Sequence, residues 1–403
     1  MLTSLALIFL VGLGMAGICQ KIKLPRIIGM LATGIILGPY VLNWLDSSIL
    51  SISSELRQMA LIIILLKAGL SLNLADLKKV GRPAVMMACV PASCEIVAFI
   101  LFAPYILNIT HVEAAVMGAV LAAVSPAVVI PRMVSLMENG YGTKKSIPQM
   151  IMAGASCDDI FVIVLFSTFA GMAQGESFHV MDFVNIPISI VLGVILGVIV
   201  GFVLSLFFET AYAHKHCVRN SMKVIIVLGM AFLLMAIETW LKPYVSVSGL
   251  LAVVAMACVL KIKCVPSVSA RLSEKFGKLW IAAEVILFVL VGAAVDIRYT
   301  LNAGLAAVLM IFVALIFRAI GVCICMLGTA LTPKERLFCV IAYLPKATVQ
   351  AAIGSVPLAM GLSCGQIVLS VAVLGILITA PLGAIGMDLT YKRFLSKVQH
   401  INP

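Results

Sequence analysis

The sequence predicts an all-α polytopic membrane protein with about 13 transmembrane helices. Of its 403 residues, 63% are hydrophobic and only 11% are charged, whereas a soluble domain carries about 25% charged residues. The apolar residues form runs of roughly 20 residues, the length that a helix needs to cross a bilayer. The composition excludes a soluble fold, and the charged residues between the runs predict the topology.

The predicted spans are the apolar runs that are long enough to cross the hydrocarbon core. They cover residues 2–19, 25–43, 57–74, 84–107, 113–135, 147–172, 182–207, 221–241, 245–261, 276–295, 303–329, 337–360 and 365–387. In the first run Lys21 and Lys23 follow the apolar residues, whereas a signal peptide carries its positive charges before them. We therefore expect the first run to be a retained span.

The positions of Lys and Arg predict the orientation of the chain, because cytoplasmic loops collect these residues. With the N-terminus outside, most of the 28 Lys and Arg fall between alternate spans, on the inner side. The C-terminus is then cytoplasmic.

Under this topology the net charge of +11 belongs to the membrane surface, so we expect membrane lipid and no nucleic acid as a partner. The sequence has no His or Cys spacing of a metal site, and we expect no cofactor.

Two predicted spans contain helix breakers well inside them, because proline removes a backbone donor and clashes with the preceding turn. The breakers are Pro126 and Pro131 in the fifth span and Pro345, Gly354 and Pro357 in the twelfth. If spans one to six and eight to thirteen are two copies joined by span seven, each broken helix is fifth in its copy, and the second copy is inverted. Broken helices at matching positions of two inverted six-helix repeats indicate the mid-membrane binding site of a secondary transporter.

Five ionisable residues lie near the centres of predicted spans, where a charge is costly and a functional role is the first hypothesis. They are Glu95 in span four, Asp158 and Asp159 in span six, Arg318 in span eleven and Lys346 in span twelve. Ser125, at the first predicted break, falls at the same depth. Glu284 in span ten is a further intramembrane carboxylate, and the sequence assigns it no role.

Asp158 and Asp159 are the candidate ion ligands. Neighbouring residues on a helix point about 100° apart, so that one carboxylate can face a cavity between the broken helices while the other faces a neighbouring helix. Carboxylates are hard ligands for a small cation, and burial without a partner disfavours their ionised form. One site can then hold either a proton or a metal cation, and this competition suffices for antiport. The alternative is that the pair only forms ion pairs with Lys346 or Arg318.

The other polar residues near the breaks each admit more than one interpretation. Lys346 directly follows a breaking proline, so that it can neutralise the carbonyl ends of a broken helix, pair with an aspartate of span six, or do both. Ser125 can offer its hydroxyl to the ion or only cap the kink. Glu95 and Arg318 are each in the fourth span of their copy, and we expect them to form an intramembrane pair. Further polar lining is expected from Thr348 and Gln350.

Four stretches of the sequence resemble the sodium/proton antiporters of the monovalent cation/proton antiporter superfamily, most closely the NHA branch found in bacteria and animals. They are LPRIIGMLATGIILGP at the second span, AVSPAVVIP at the fifth, GASCDDIFVIVLF at the sixth and LPKATVQAAIGS at the twelfth. The resemblance implies the sodium/proton antiporter fold, in which the two broken helices cross, and a homodimer. We expect such a transporter in a bacterial inner membrane, with a role in pH homeostasis.

The resemblance also implies a division of the single transporter unit, residues 1–403. The core helices would be approximately 84–172 and 303–387, the dimerisation helices approximately 2–74 and 221–295, and the linker helix approximately 182–207. Asp159 would be the main ion ligand, and Asp158 its partner, exchanging between a basic residue and the ion. Glu95, Arg318 and Lys346 would be the charged core residues of the NHA branch.

Two alternatives to Na⁺/H⁺ exchange remain at this point. The first is K⁺/H⁺ exchange or a K⁺ efflux pathway, because the string at the second span also recurs in potassium/proton systems. The second is an intramembrane aspartyl protease. That chemistry needs two aspartates facing each other from separate helices, whereas Asp158 and Asp159 are adjacent, and we do not expect an enzyme. Many bacterial relatives have lysine where this chain has Arg318, and arginine does not readily release a proton, so the sequence leaves the proton stoichiometry open.

Overall fold

The computed structural model describes residues 1–22, 24–71, 81–174, 180–213, 220–241, 245 and 247–397. These residues form helices and turns, with no strand among them. The helices are α1 (Leu2–Lys21), α2 (Arg26–Leu37), α3 (Ser47–Ser51), α4 (Ser53–Ser71), α5 (Arg82–Met87), α6 (Val90–Leu107), α7 (His111–Leu121), α8 (Pro126–Glu138), α9 (Ile147–Ala173), α10 (Val180–Ala213), α11 (Asn220–Leu241), α12 (Gly249–Lys263), α13 (Pro266–Ala293), α14 (Ile297–Cys325), α15 (Pro333–Ala342), α16 (Thr348–Ile353), α17 (Val356–Ala359) and α18 (Gly365–Phe394). The all-α prediction is confirmed.

Nine helical segments in the described part of the chain are long and apolar enough to cross a membrane. The mean hydropathy of their apolar windows lies between 1.8 and 2.9, as expected for helices that face lipid or a buried core. Each of the predicted spans overlaps at least one helix. The prediction of a polytopic membrane protein is therefore confirmed, while the number of helices that cross the bilayer stays a prediction.

The described residues pack as two compact units. One comprises Met1–Ser54, Asn73–Gly175 and Leu287–Pro403, and the other comprises Glu55–Leu72 and Glu176–Ile286. Both broken helices and all of the predicted mid-membrane charges around them lie in the first unit. Within the second unit α10 packs closely against α12, because a Cβ at Gly197 would overlap the carbonyl of Ala252. The expected division into core, linker and dimerisation helices stays a prediction.

The first broken helix consists of α7 and α8, which residues 122–125 separate. Pro126 lies in the first turn of α8, where a missing N–H costs no helical hydrogen bond. Pro131, which the sequence suggests as part of the break, lies inside α8 instead. Its missing donor removes a single backbone hydrogen bond, and the helix continues past it to Glu138. The break is thus confined to the residues before Pro126.

The second broken helix consists of α15 and α16, which residues 343–347 separate, with Pro345 among them. α16 is only 6 residues long and ends at Ile353, with Gly354 at its C-cap. α17 follows, with Pro357 in its first turn. Span twelve is therefore interrupted twice, once around Pro345 and again at Gly354.

Span four is interrupted as well, at a place that we do not predict from the sequence. α5 ends at Met87 and α6 begins at Val90, with Cys89 at its N-cap. Pro91 in the first turn of α6 has no N–H to continue the hydrogen bonds of α5, and this proline is the sequence signal for the interruption. The corresponding helix of the second copy, α14, is continuous.

The two broken helices begin with the same capping motif. In α7 the Thr110 hydroxyl accepts a hydrogen bond from the N–H of Glu113, and in α15 the Thr332 hydroxyl accepts one from the N–H of Glu335. Each glutamate in turn accepts a hydrogen bond from the threonine N–H, at 2.8 Å in α7 and 2.7 Å in α15. Such a reciprocal capping box satisfies donors that a helix start leaves open. The first turns of both broken helices are therefore fixed in the same way.

Each capping glutamate also contacts the chain just before a long helix. Glu113 accepts a hydrogen bond at 2.5 Å from Ser363, which precedes α18. Glu335 forms an ion pair at 2.7 Å with Lys145, which precedes α9, and Lys145 donates to the carbonyl of Ala330 at 2.8 Å. The start of α15 is therefore joined to the start of α9, the helix that carries the aspartate pair.

We predict that Glu335→Gln lowers the melting temperature of the purified protein, because Lys145 loses its carboxylate. Glu335 precedes the predicted span 337–360, and although burial alone would raise its pKa, hydrogen bonds from Lys145 and Thr332 hold that pKa below its usual value. A double-mutant cycle with Lys145→Met should give a coupling of about 1 kcal/mol. Because the folded-state pKa is lowered, this contribution is present at neutral pH and should be lost as the pH falls through the lowered value.

Lys144 provides the matched control, because it is exposed and adjacent to Lys145. Lys144→Met should not couple to Glu335→Gln in the same cycle. Equal coupling of the two lysines to Glu335 would contradict a specific ion pair at this position.

Candidate ion-binding site

The two breaks lie against each other in the first unit. Ser125, the last residue of the first break, donates its N–H to the carbonyl of Pro345 at 2.7 Å. Gln350 of α16 donates its side-chain amide to the carbonyls of Ala123 at 2.8 Å and Leu121 at 3.2 Å. Backbone groups that one break frees are therefore satisfied by the other broken helix, as an interrupted helix requires at membrane depth.

Arg318 of α14 reaches the carbonyl ends of both broken helices. Its Nε donates to the carbonyl of Tyr343, just past the end of α15, at 2.5 Å. Its Nη1 donates to the carbonyl of Ala122, just past the end of α7. The last carbonyls of a helix carry a partial negative charge, so that one guanidinium compensates two helix ends. The five donors of arginine make this possible in a way that a lysine amine cannot.

Arg318 also joins two buried carboxylates. Its nitrogens lie 2.7 Å from Glu95 Oε2 and 3.3 Å from Asp158 Oδ2. The side chain of Arg318 is 1% exposed, and those of Glu95 and Asp158 are fully buried. The intramembrane pair of Glu95 and Arg318 that we expect from the sequence is present, and Asp158 shares the same cation.

Lys346 pairs with Glu95, while Arg318 is the basic residue in contact with Asp158. The Nζ atom of Lys346 lies 2.6 Å from Glu95 Oε1 and donates to the carbonyl of Leu121 at 2.5 Å. Lys346 thus neutralises carbonyls at a break, one of the two roles that its position in the sequence suggests. The sequence leaves open which cation pairs with Asp158. In this conformation it is Arg318.

Asp158 and Asp159 are neighbours on α9 and differ in their partners. Asp158 Oδ2 accepts a hydrogen bond at 2.7 Å from the N–H of Val124, in the first break, beside its contact with Arg318. Asp159 is 4% exposed, and no Lys or Arg of the described residues forms an ion pair with it. One aspartate is therefore bound to the protein, and the other has a carboxylate that the protein does not compensate.

The buried charges at the breaks do not cancel. The carboxylates are Glu95, Asp158 and Asp159, and the cations are Arg318 and Lys346. With all of them ionised, the cluster has a single negative charge in excess, and it resides at the aspartate without an ion pair. An uncompensated charge is costly at this depth. One proton or one monovalent cation would restore neutrality.

Several buried oxygen atoms around the breaks have no hydrogen-bond partner among the described residues. They include Ser125 Oγ, Asp158 Oδ1, Asp159 Oδ1, Thr348 Oγ1 and Gln350 Oε1. Because the amide nitrogen of Gln350 donates to two carbonyls, its oxygen must point the other way. Buried polar atoms without partners are rare and call for an explanation. Oxygen atoms are the ligands that a hard cation prefers. A bound Na⁺ would therefore supply the partner that these oxygen atoms lack.

Glu284, to which the sequence assigns no role, lies in the second unit. Lys67 of α4 is within electrostatic range of it, and the Nζ of Lys67 lies 5.7 Å from the centre of the Trp280 ring. The structure therefore gives this intramembrane carboxylate a cationic neighbour that the sequence pattern does not reveal.

Three groups at the breaks have no clear signal in the sequence. Val124 contributes only a backbone N–H, and Thr379 of α18 accepts a hydrogen bond from the N–H of Lys346 at 2.9 Å. Tyr343 places its ring centre 5.5 Å from the guanidinium carbon of Arg318. A backbone donor leaves no side-chain pattern, and the closeness of Tyr343 to Pro345 is the single hint of its position.

Comparison with known proteins gives matches over nearly the whole chain. Residues 5–390 match the family model described as sodium/hydrogen exchanger, transmembrane. The chain is 34% identical over 390 residues to the Homo sapiens protein named sodium/hydrogen exchanger 9B2, covering 94% of this chain and 71% of that protein. It is 30% identical over 396 residues to Homo sapiens sodium/hydrogen exchanger 9B1, covering 94% and 74%.

A solved structure shares the fold. The sodium proton antiporter MjNhaP1 from Methanocaldococcus jannaschii aligns with a TM-score of 0.84 over 98% of both chains, at 20% sequence identity. At this identity the likeness concerns the fold alone. The antiporter fold that we expect from the sequence is confirmed.

We predict that Arg318→Gln strongly destabilises the protein, because it leaves Glu95 and Asp158 without their shared cation. Removing one partner of a buried ion pair costs about 3–5 kcal/mol. Thermal unfolding of the purified variant in detergent should therefore show a large fall in melting temperature.

Arg132→Gln is the matched control. Arg132 pairs with Asp388 at 3.1 Å, with side chains that are 26% and 57% exposed, and an exposed pair contributes about 0–1 kcal/mol. A loss of stability in Arg318→Gln no larger than that in the control would contradict a structural role for the buried cluster.

Proposed function

This chain belongs to the sodium/hydrogen exchanger family, and from that premise we propose that it exchanges Na⁺ (or Li⁺) for H⁺ by alternating access. It is an integral membrane protein and a transporter rather than an enzyme. The observation that carries the proposal is the excess negative charge at Asp159, which lies on α9 beside the two breaks. The buried oxygen atoms around the breaks that have no hydrogen-bond partner support a cation there.

Competition for one negative charge is the proposed coupling between the two ions. A proton on Asp159 makes the buried cluster neutral, and so does Na⁺ bound beside the ionised carboxylate. Both together would leave a positive excess in a poorly solvated site, where charge interactions are strong. Binding of one ion therefore favours release of the other. If the site opens to one side of the membrane at a time, the gradient of either ion drives the other.

We propose Asp159 as the main ligand, with Asp158 and Ser125 completing the site. Asp158 keeps its Oδ2 on the N–H of Val124 and on Arg318, while its Oδ1 has no partner among the described residues. A carboxylate in this position can turn one oxygen to the ion without losing its protein contacts. The neutral oxygens of Thr348 and Gln350 are further candidates. No cofactor besides the transported ions is proposed.

The charge balance supports exchange of one Na⁺ for one H⁺. Arg318 and Lys346 compensate Glu95 and Asp158 in direct contacts, and arginine does not readily release a proton. Asp159 is then the group whose charge changes during a cycle. An exchange of one charge for one charge moves no net charge across the membrane.

K⁺/H⁺ exchange is the alternative for the same site. The matched family and the named relatives are sodium/hydrogen exchangers, which favours Na⁺. Proteoliposomes given K⁺ in place of Na⁺ distinguish the two. Proton movement that is faster with K⁺ than with Na⁺ would support the alternative.

We further propose a homodimer, formed through residues 2–74 and 221–295, with the N-terminus outside and the C-terminus in the cytoplasm. The family resemblance supports the dimer, and the loop charges support the orientation.

The named relatives are animal proteins and so do not support a bacterial inner membrane. The location is therefore proposed only as a membrane that carries a Na⁺ or H⁺ gradient. Native mass spectrometry tests the dimer, and a monomer in all mild detergents would contradict it.

We predict that Asp159→Asn abolishes Na⁺-induced proton movement in proteoliposomes, because an amide can neither release a proton nor supply the excess charge. A fluorescent pH indicator inside the vesicles measures the flux. Asp388→Asn is the matched control, since Asp388 is an exposed aspartate on α18 in the same unit, and it should retain transport. Full activity of Asp159→Asn would refute the site assignment.

We also predict that transport is electroneutral. A Na⁺ gradient applied to the protein on a supported membrane should give no transient current above that of empty membrane, while the pH indicator reports exchange in the same preparation. A transient current that reverses with the gradient, and that Lys346→Ala removes while the pH indicator still reports exchange, would show that a second proton moves and that the charge count is wrong.

A further inference from the structure

Tyr343 is a buried residue at the breaks that the proposed exchange does not use. It is fully buried at the end of α15. Its hydroxyl has no hydrogen-bond partner among the described residues. A buried tyrosine normally places its hydroxyl against a partner, so this arrangement indicates a function for the group.

The hydroxyl of Tyr343 lies against α9, on the face that carries the site. A Cβ built at Gly154 would overlap this oxygen, so that glycine is what admits the hydroxyl here. Gly154 and Asp158 are four residues apart on α9, and such residues share one face of a helix with Cβ positions about 5–6 Å apart. The hydroxyl therefore lies against the face of α9 that carries Asp158, about one helical turn from it.

Tyr343 also contacts the cation that pairs with Asp158. Its carbonyl accepts a hydrogen bond from Arg318 Nε at 2.5 Å, and its ring centre lies 5.5 Å from the guanidinium carbon. Arg318 in turn lies 3.3 Å from Asp158 Oδ2. The backbone and ring of Tyr343 thus contact Arg318, which pairs with Asp158, while the hydroxyl of Tyr343 lies against α9 one turn before Asp158.

The second oxygen of Asp158 is also without a partner among the described residues. Asp158 Oδ1 is buried, like the tyrosine hydroxyl. Two such atoms on one face of a helix can both be satisfied by a single buried water between them. We propose that Tyr343 is a positioning residue whose hydroxyl, through one water, orients Asp158 Oδ1 for Na⁺.

This inference rests on the proposed function, and the two fail in different experiments. If the assignment of Asp159 as the ion ligand is wrong, Asp159→Asn will transport at the wild-type rate. The Tyr343 inference concerns only the affinity for Na⁺ in a protein that transports. It is tested by Tyr343→Phe, which keeps the ring and the carbonyl against Arg318 and removes only the hydroxyl.

We expect Tyr343→Phe to raise the KM for Na⁺ by roughly tenfold, the size of one hydrogen bond to a charged group, with a maximal rate within about twofold of wild type. Tyr141→Phe is the matched control, because Tyr141 packs on Tyr391 at the far end of α8, and its KM should not change. An unchanged KM in Tyr343→Phe, or a fall in maximal rate with an unchanged KM, would overturn the proposal.

Gly154→Ala gives a second test, since the added methyl would overlap the hydroxyl of Tyr343, although it would also lie 2.8 Å from Met87 Cβ. It should raise the KM for Na⁺ in the same direction, and adding Tyr343→Phe to Gly154→Ala should give no further increase, because the methyl has already displaced the hydroxyl. Multiplied effects in the double variant would show that the residues act separately and would contradict the shared water. If Gly154→Ala does not fold, the KM of Tyr343→Phe alone decides.

Discussion

The arrangement of Arg318 is the constraint on which the rest of the site depends. Two helices stop inside the membrane and leave carbonyl groups that water cannot reach. The guanidinium donates to the carbonyls of Ala122 and Tyr343, one from each broken helix. It also contacts Glu95 and Asp158. A single planar group with several donors therefore satisfies carbonyl groups at both breaks and holds one aspartate of the pair in place. The intramembrane arginine therefore links the two broken helices to the aspartate at the first break.

The same arrangement explains why the cluster is suited to ion exchange. Buried ion pairs contribute little net stability compared with apolar packing, so their presence at this depth needs another reason. Arg318 and Lys346 each hold a carboxylate, and Asp159 is left over. An ionised Asp159 with no ion bound is costly at this depth. The cost favours the presence of either a proton or a cation throughout the transport cycle. Fixed contacts compensate four of the five charges, and in the proposed mechanism Asp159 is the one position where a proton and a cation would compete.

Much of this site can be predicted from the sequence, because a charge within an apolar run is conspicuous. All five mid-membrane charges are identified in this way. Ion pairs join Glu95, Asp158, Arg318 and Lys346, and Asp159 is adjacent to Asp158 on α9. The pairing of Asp158 with Arg318 rather than Lys346 cannot be predicted, since it depends on the path of residues 343–347 between two helix ends.

The positions of the breaks show the same limit. Pro126 and Pro131 have the same chemistry, yet the helix stops before the first and continues through the second. The difference lies in tertiary contacts, because the N–H of Ser125 finds the carbonyl of Pro345 on the other broken helix. Tyr343 has no charge to mark it, and its position becomes visible only through its neighbours Arg318 and Gly154.

The most direct test of this account is the number of protons that the purified protein releases when it binds Na⁺. Calorimetry in two buffers of different ionisation enthalpy measures this number. The account predicts release of about one proton per Na⁺ from the wild type, at a pH where the empty site is protonated, and none from Asp159→Asn. Binding of Na⁺ to the wild type without proton release would contradict competition for a single buried charge.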